Sequence, residues 1–157
     1  MVVCITAFAF TLKENYESAD ESAVKALVLK SYVHGAFNEL DADAMRAGFH
    51  EDFAIYSPNG EAIRKYYRST WADGVGKRKS NGYDFNDPKN KWEHKFAIID
   101  VTGHAAQVKM ELHNQGKHIY TDYLSLLKFE SGWRIASKVF YKQLVIITVK
   151  EIKTTID

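Results

Sequence analysis

The chain has 157 residues and a mass of 17.9 kDa, 46% hydrophobic and 26% charged, which suits one domain and would be cramped for two. Its 21 basic and 20 acidic residues leave a formal charge of +1, without the positive excess that nucleic-acid binding draws on, so no nucleic-acid partner is expected. A single cysteine, Cys4, excludes an internal disulfide and a multi-cysteine zinc site, and 13% aromatic residues are too many for a disordered chain.

In chain order, the apolar run Val2 to Phe10 is too short to cross a bilayer, which takes about 20 residues. No membrane span is expected. Ala7-Phe8-Ala9 has the small-x-small pattern of a signal-peptidase site, but the basic segment that normally precedes the apolar one is missing. Residues 1–17 therefore read as an apolar leader or a signal remnant, and residues 18–157 as a single domain. A cytoplasmic location is expected, with export the alternative if residues 1–9 are a signal remnant.

From Ser18 to Leu40 the apolar residues Val24, Leu27, Val28, Tyr32 and Ala36 recur at three-to-four spacing and predict a long helix, with Asp20 or Ser22 as its cap. Asp41 caps a short second helix, Ala42 to Ala47, ending at Gly48. A strand follows at Asp52 to Tyr56, stopped by Ser57-Pro58-Asn59-Gly60. Ile63, Tyr67, Thr70 and Trp71 then predict a third helix over 61–71, and the Gly, Asn and Asp content of 73–90 predicts a long loop. Beyond it the period changes to two. Lys91 to Thr102, Ala105 to Asn114, His118 to Glu130 and Trp133 to Val149 read as four strands joined by hairpin turns. Helices first and a strand meander afterwards predict an α+β architecture, helices packed on one face of a curved antiparallel sheet.

Alternation then assigns faces. Ala106, Val108, Met110 and Leu112 share one face, the inner one, since Gln107, Lys109 and Glu111 occupy the other. A three-residue turn at Gln115-Gly116-Lys117 sets Met110 opposite Asp122 and Leu112 opposite Tyr120. A two-residue turn at Ser131-Gly132 sets Asp122, Leu124 and Leu126 beside Ile135, Ser137 and Val139. Both registers turn Asp122 inward, where a carboxylate among apolar residues needs hydrogen-bond donors or a raised pKa. Asp122 is thus the leading candidate for a general acid or base, or else a buried carboxylate satisfied by Tyr32, Tyr56 or a backbone amide. A one-residue slip would instead turn it outward toward Lys138.

The segments Phe49-His50-Glu51-Asp52-Phe53, Thr121 to Lys128, Trp133-Arg134-Ile135 and Lys138-Val139-Phe140-Tyr141 resemble the nuclear-transport-factor-two-like (SnoaL-like) superfamily, and more narrowly its putative lumazine-binding group. Tyr32 with Gly35, Asp41-Ala42-Asp43 and Ala105 to Met110 agree, so the resemblance covers 21–143. It implies a cone-shaped α+β barrel of three helices wrapped by a bent sheet, commonly a homodimer through the convex face, with a pocket at the wide end. Its relatives include ketosteroid isomerases, polyketide cyclases, dehydratases and epoxide hydrolases beside members that only bind or assemble, and a fold alone does not choose among them.

The function expected is therefore a small-molecule-binding cone domain. The alternative is a cofactor-free lyase or isomerase for a small apolar cyclic substrate, with Asp122 as acid or base and Tyr32 orienting it; a further alternative is a dimeric interaction module. Tyr56, Trp71, Met110, Tyr120, Leu124 and Val139 are the expected ligand-binding residues. Tyr123, Leu127, Phe129, Ala136 and Phe140 form the expected dimer face, with Arg134 and Lys138 as its charges. His50, between Phe49 and two acids, is either a proton donor or a hydrogen-bonded corner residue. No cofactor and no metal are expected, since His113 and His118 should point to opposite faces.

Overall fold

A computed structural model describes residues 18–144; residues 1–17, expected to be an apolar leader or signal remnant, and the apolar tail 145–157 lie outside the described residues. Helix α1 (Ala19–Leu27) begins at Ser18, which forms a capping box with Glu21 in place of the expected Asp20 or Ser22. Asp20 is engaged elsewhere, accepting from Lys128 Nζ at 2.6 Å and Trp133 Nε1 at 3.1 Å. The helix runs on as a π-helical segment, Val28–Asn38, whose wider turns show in Glu39 N–H donating to the His34 carbonyl five residues back. This segment buries Val28, Ser31, Tyr32, Val33, Gly35 and Ala36.

Helix α2 (Ala42–Gly48) is capped by Asp41, as expected, and its end presses on the segment before it. A Cβ at Gly48 would lie 2.0 Å from Ser31 Oγ, so only glycine fits that crossing. Strand β1 (Phe49–Asn59) follows, longer than its expected core.

The expected third helix over 61–71 is found displaced, starting only at Arg68. Gly60, at φ +61°, reverses the chain into strand β2 (Ala62–Tyr67), which pairs with β1 from Asn59↔Ala62 to Ala54↔Tyr67. Ile63 and Tyr67, taken as one helical face, are both exposed on this edge hairpin. Helix α3 (Arg68–Ser80) then occupies much of the expected loop. Arg46 bridges from α2 to Asp73 on α3 at 2.6 Å. A short 3₁₀ turn at Pro88–Asn90 leads into the meander.

Strands β3 (Trp92–Thr102), β4 (Ala105–Asn114), β5 (Lys117–Phe129) and β6 (Gly132–Lys142) agree with the twofold pattern within a few residues, and the expected extension of β6 to Val149 runs into positions 145–149, outside the described residues. The sheet order is β2-β1-β6-β5-β4-β3, with β1 parallel to β6 and every other pair antiparallel. It is therefore a mixed sheet, curved around the helices and open between its β2 and β3 edges. The core lies in the hollow: Val24, Val28, Tyr32 and Val33 of the first helix against Phe49, Phe53, Ala106, Val108, Met110, Leu112, Leu124, Leu126 and Ile135.

Two bulges alter the faces drawn from simple alternation. On β5, Leu112 pairs with Tyr120 but His113 pairs with His118, so Ile119 is an extra residue. The turn is a two-residue one, Gln115-Gly116, both at positive φ, and the bulge restores the expected pairings Met110↔Asp122 and Leu112↔Tyr120. On β6, Leu126 pairs with Ile135 but Ser125 with Ser137, leaving Ala136 extra. Everything after Ala136 changes face relative to an unbroken ladder. Lys138, expected outside, is 4% exposed, and Val139, expected inside, is 49% exposed. Phe140 accordingly follows Lys138, and the expected outer face now consists of Tyr123, Leu127, Phe129 and Val139, all exposed.

Candidate functional site

Three polar side chains meet inside the hollow. Asp122 is fully buried at the centre of β5, opposite Met110 on one side and Phe140 on the other. Tyr32, fully buried on the π-helical segment, donates its hydroxyl to Asp122 Oδ2 at 2.5 Å. Lys138 donates a short hydrogen bond to the Tyr32 oxygen and places Nζ 2.8 Å from Asp122 Oδ1. That last contact is an ion pair, since Oδ1 has no hydrogen bond of good angle. The triad draws on a helix and two neighbouring strands, and the Ala136 bulge is what admits Lys138 to it.

Around the ammonium stands an aromatic cage. Nζ lies 4.8 Å from the Tyr32 ring centre, 5.0 Å from Phe140, 5.8 Å from Tyr120, and 5.9 Å from Phe37 and from Trp71. The rings support one another: Trp71 meets Tyr32, Phe49 and Phe53, while Trp92 stacks on Tyr120 and tilts against Phe37. Burial holds the lysine's pKa below its ordinary value even though Asp122 pulls the other way. The Tyr32 phenol is pushed well above its ordinary range, first by burial and then by the Asp122 charge.

These directions carry a pH dependence. Between the lowered folded-state value of Lys138 and the ordinary 10.5, the unfolded chain holds a proton that the folded chain has released, so Lys138's contribution to stability rises with pH across that window. Above 10.0 Tyr32 acts oppositely, because there the folded chain keeps a proton that the unfolded chain loses. Urea midpoints measured from neutral pH to pH 10 are expected to show the wild type gaining on Lys138→Met as pH rises. A flat difference would mean that Lys138 is not desolvated.

Comparison with known proteins agrees with the curved sheet and its helices. A family model described as putative lumazine-binding matches residues 19–141. The chain belongs to that family. An aldolase, FrzH of Cladobotryum sp, is 28% identical over 127 residues, covering 76% of this chain and 91% of the aldolase. Among solved structures, an NTF-2 like protein of unknown function from Silicibacter pomeroyi superposes with a TM-score of 0.60 at 21% identity, covering 78% of this chain and 94% of that one. An NTF2-like protein of unknown function from Methylobacillus flagellatus gives 0.58 at 24% identity, covering 81% and 95%. These two likenesses speak to the fold, which is NTF2-like.

Within this family member, the expected site residues separate into two groups. Asp122, Tyr32, Met110 and Leu124 are buried together, with Tyr120 and Trp71 half-buried in the cage wall. Tyr56 and Val139 are not with them. They are register partners on the parallel β1–β6 pair, on the face away from Ile55 and Lys138, and both line a surface cleft of about 520 Å³ with Ile63 and Phe140. Phe140 is thus common to the cleft and the cage. His50 is a corner residue: its Nδ1 accepts from Asp52 N–H at 3.2 Å and its ring stacks on Phe129.

Lys138 is the functional candidate that alternation missed. An ammonium read onto the outer face looks like an ordinary surface charge, and only the bulge reverses that reading. One signal was available in the sequence: a slip of one residue between β5 and β6 brings Asp122 and Lys138 together. The expected Asp122–Lys138 partnership of a slipped strand is found, but inside the hollow and not on the outer surface.

Proposed function

We propose that this protein is an enzyme acting on a small carbonyl compound with an apolar, ring-bearing body, and that the Lys138 amine is its reacting group. The observation that carries this reading is the buried Lys138 Nζ, bound by Asp122 and Tyr32 and faced by five aromatic rings. A desolvated lysine of reduced proton affinity is the form in which an amine is nucleophilic near neutral pH. Asp122 takes the ammonium proton, and the free amine adds to the carbonyl carbon. The carbonyl oxygen leaves as water, with one hydrogen from the nitrogen and one returned by Asp122, and an iminium remains. Asp122 is then free to take the proton from the neighbouring carbon, giving an enamine that attacks a second carbonyl carbon, whose oxygen takes that proton back from Asp122 and becomes a hydroxyl. Water releases the product and restores the amine. Tyr32, bonded to both partners, keeps them in register and passes the proton between them.

The word aldolase in the name of the 28% identical relative supports carbon–carbon bond chemistry of this kind. The cage rings favour flat, apolar substrates. Binding without chemistry is the second reading, supported by the family's description and by a cage that is complete around a protein cation.

Phenylacetaldehyde with cyanoborohydride at pH 7 tests the proposal, followed by peptide mass mapping. Labelling of Lys138 ahead of the exposed lysines is the expected result. Labelling confined to exposed lysines, with no exchange of the aldehyde's α-hydrogens in D₂O, would leave only the binding reading. Exchange without labelling would move the chemistry from the amine to acid–base work by Asp122.

A further inference from the structure

We propose that Glu111, His113 and His118 form a divalent-metal site, suited to zinc, on the outer face of the β4–β5 hairpin. Residues two apart on one strand share a face, and a directly paired residue on the next strand faces the same way, so this pattern presents three ligands together. The two-residue turn Gln115-Gly116 sets it. A three-residue turn would pair His118 with Asn114 and its ring would leave that face; with the shorter turn, His113 and His118 are register partners whose rings stack at 4.9 Å. A nitrogen of each ring and a Glu111 carboxylate oxygen lie within 4.8 Å of one another.

The hydrogen bonds around the rings fit metal binding. His118 Nε2 lies 2.9 Å from the Tyr120 carbonyl, which can only accept, so Nε2 carries the proton and Nδ1 keeps its lone pair. A ligating histidine normally has its other nitrogen held this way. Thr121 Oγ1 is also 3.1 Å from that Nε2, and Gln143 donates to the same Thr121 oxygen. Glu111 is bonded by His113 at 3.1 Å, and Lys95 stands opposite it on β3. Two imidazoles and a carboxylate suit zinc, and the half-buried setting leaves a fourth position for water.

Zinc–nitrogen bonds of about 2.0–2.1 Å require the three donors to approach to roughly 3.3 Å in a tetrahedral site. The stacked rings must therefore turn out of parallel as the ion enters, a side-chain movement that partial exposure permits. A bound ion would pin the backbone carrying Tyr120, whose ring closes one side of the Lys138 cage.

Calorimetric titration of the full chain with zinc chloride at pH 7.5 is expected to give one ion per chain with micromolar affinity. His113→Ala and His118→Ala should each weaken it about tenfold or more, by analogy with the loss on removing supporting groups alone. His104→Ala, an exposed histidine outside the cluster, should leave it unchanged. In the wild type, zinc should protect His113 and His118 from diethyl pyrocarbonate while His104 stays reactive, a readout that does not depend on the variants folding. Absence of binding below millimolar zinc, or protection that omits this pair, would overturn the proposal.

Discussion

Replacing Lys138 by methionine is expected to cost about 3–5 kcal/mol of folding stability, because it leaves the Asp122 carboxylate buried without its cation. Methionine keeps most of the volume and apolar stem, so packing against the five rings is largely retained. The double variant Lys138→Met/Asp122→Asn should recover most of the loss, since a neutral amide beside Tyr32 no longer needs a counter-charge. The difference between the double variant and the sum of the singles measures the coupling of the pair. Near-additive losses would show that the two groups do not hold each other, and the site would lose its electrostatic basis. Turnover belongs to a separate column of the same experiment: both singles and the double should lose about 10²–10⁴-fold, with no recovery in the double. Stability recovering while activity does not is the pattern of a functional pair. Under the binding reading, ligand retention would follow stability.

Tyr32→Phe is the second test, and it removes one oxygen while keeping the ring against Phe37, Phe49 and Trp71. Asp122 Oδ2 loses its donor and Lys138 loses its acceptor in a place water does not readily fill. The expected cost is about 1–3 kcal/mol from these unsatisfied buried groups. Activity on a carbonyl probe should fall by about 10²–10³-fold if the hydroxyl positions the amine and carboxylate during proton transfer. The rate of Lys138 labelling by phenylacetaldehyde should show a displaced pH dependence, because the phenol no longer modulates the amine. A structural Tyr32 would alter the denaturation midpoint and leave that pH profile in place.

The first test centres on a residue that the linear pattern assigned to the wrong side of the sheet. Alternation in Ala106, Val108, Met110 and Leu112 was enough to find the inner face of β4, and pairing through the hairpin was enough to bring Asp122 inside. Tyr32 came from helical spacing in the same way, and the family resemblance supplied the cone around them. Each of these follows from a local period, two for strands and between three and four for helices, that a run of apolar residues records directly.

What alternation does not record is an extra residue. Ala136 and Ile119 are unremarkable in composition, yet each shifts the ladder by one, and with a period of two a shift of one exchanges the faces. The first exchange turns Lys138 from a surface charge into the partner of Asp122 and sends Val139 outward; the second keeps Asp122 inside beyond a two-residue turn that sets His118 beside His113. The hairpin at 59–62 was lost for a related reason: Ile63 and Tyr67 fit a helical spacing, but pairing with β1 decided their structure and left both exposed. Sequence by itself determined the helix-then-sheet order, the inner face of β4 and the burial of Asp122. The cation that balances Asp122 was decided only in the folded chain, because curving the sheet around the helices involves bulges whose positions depend on neighbouring strands, outside the reach of any local pattern.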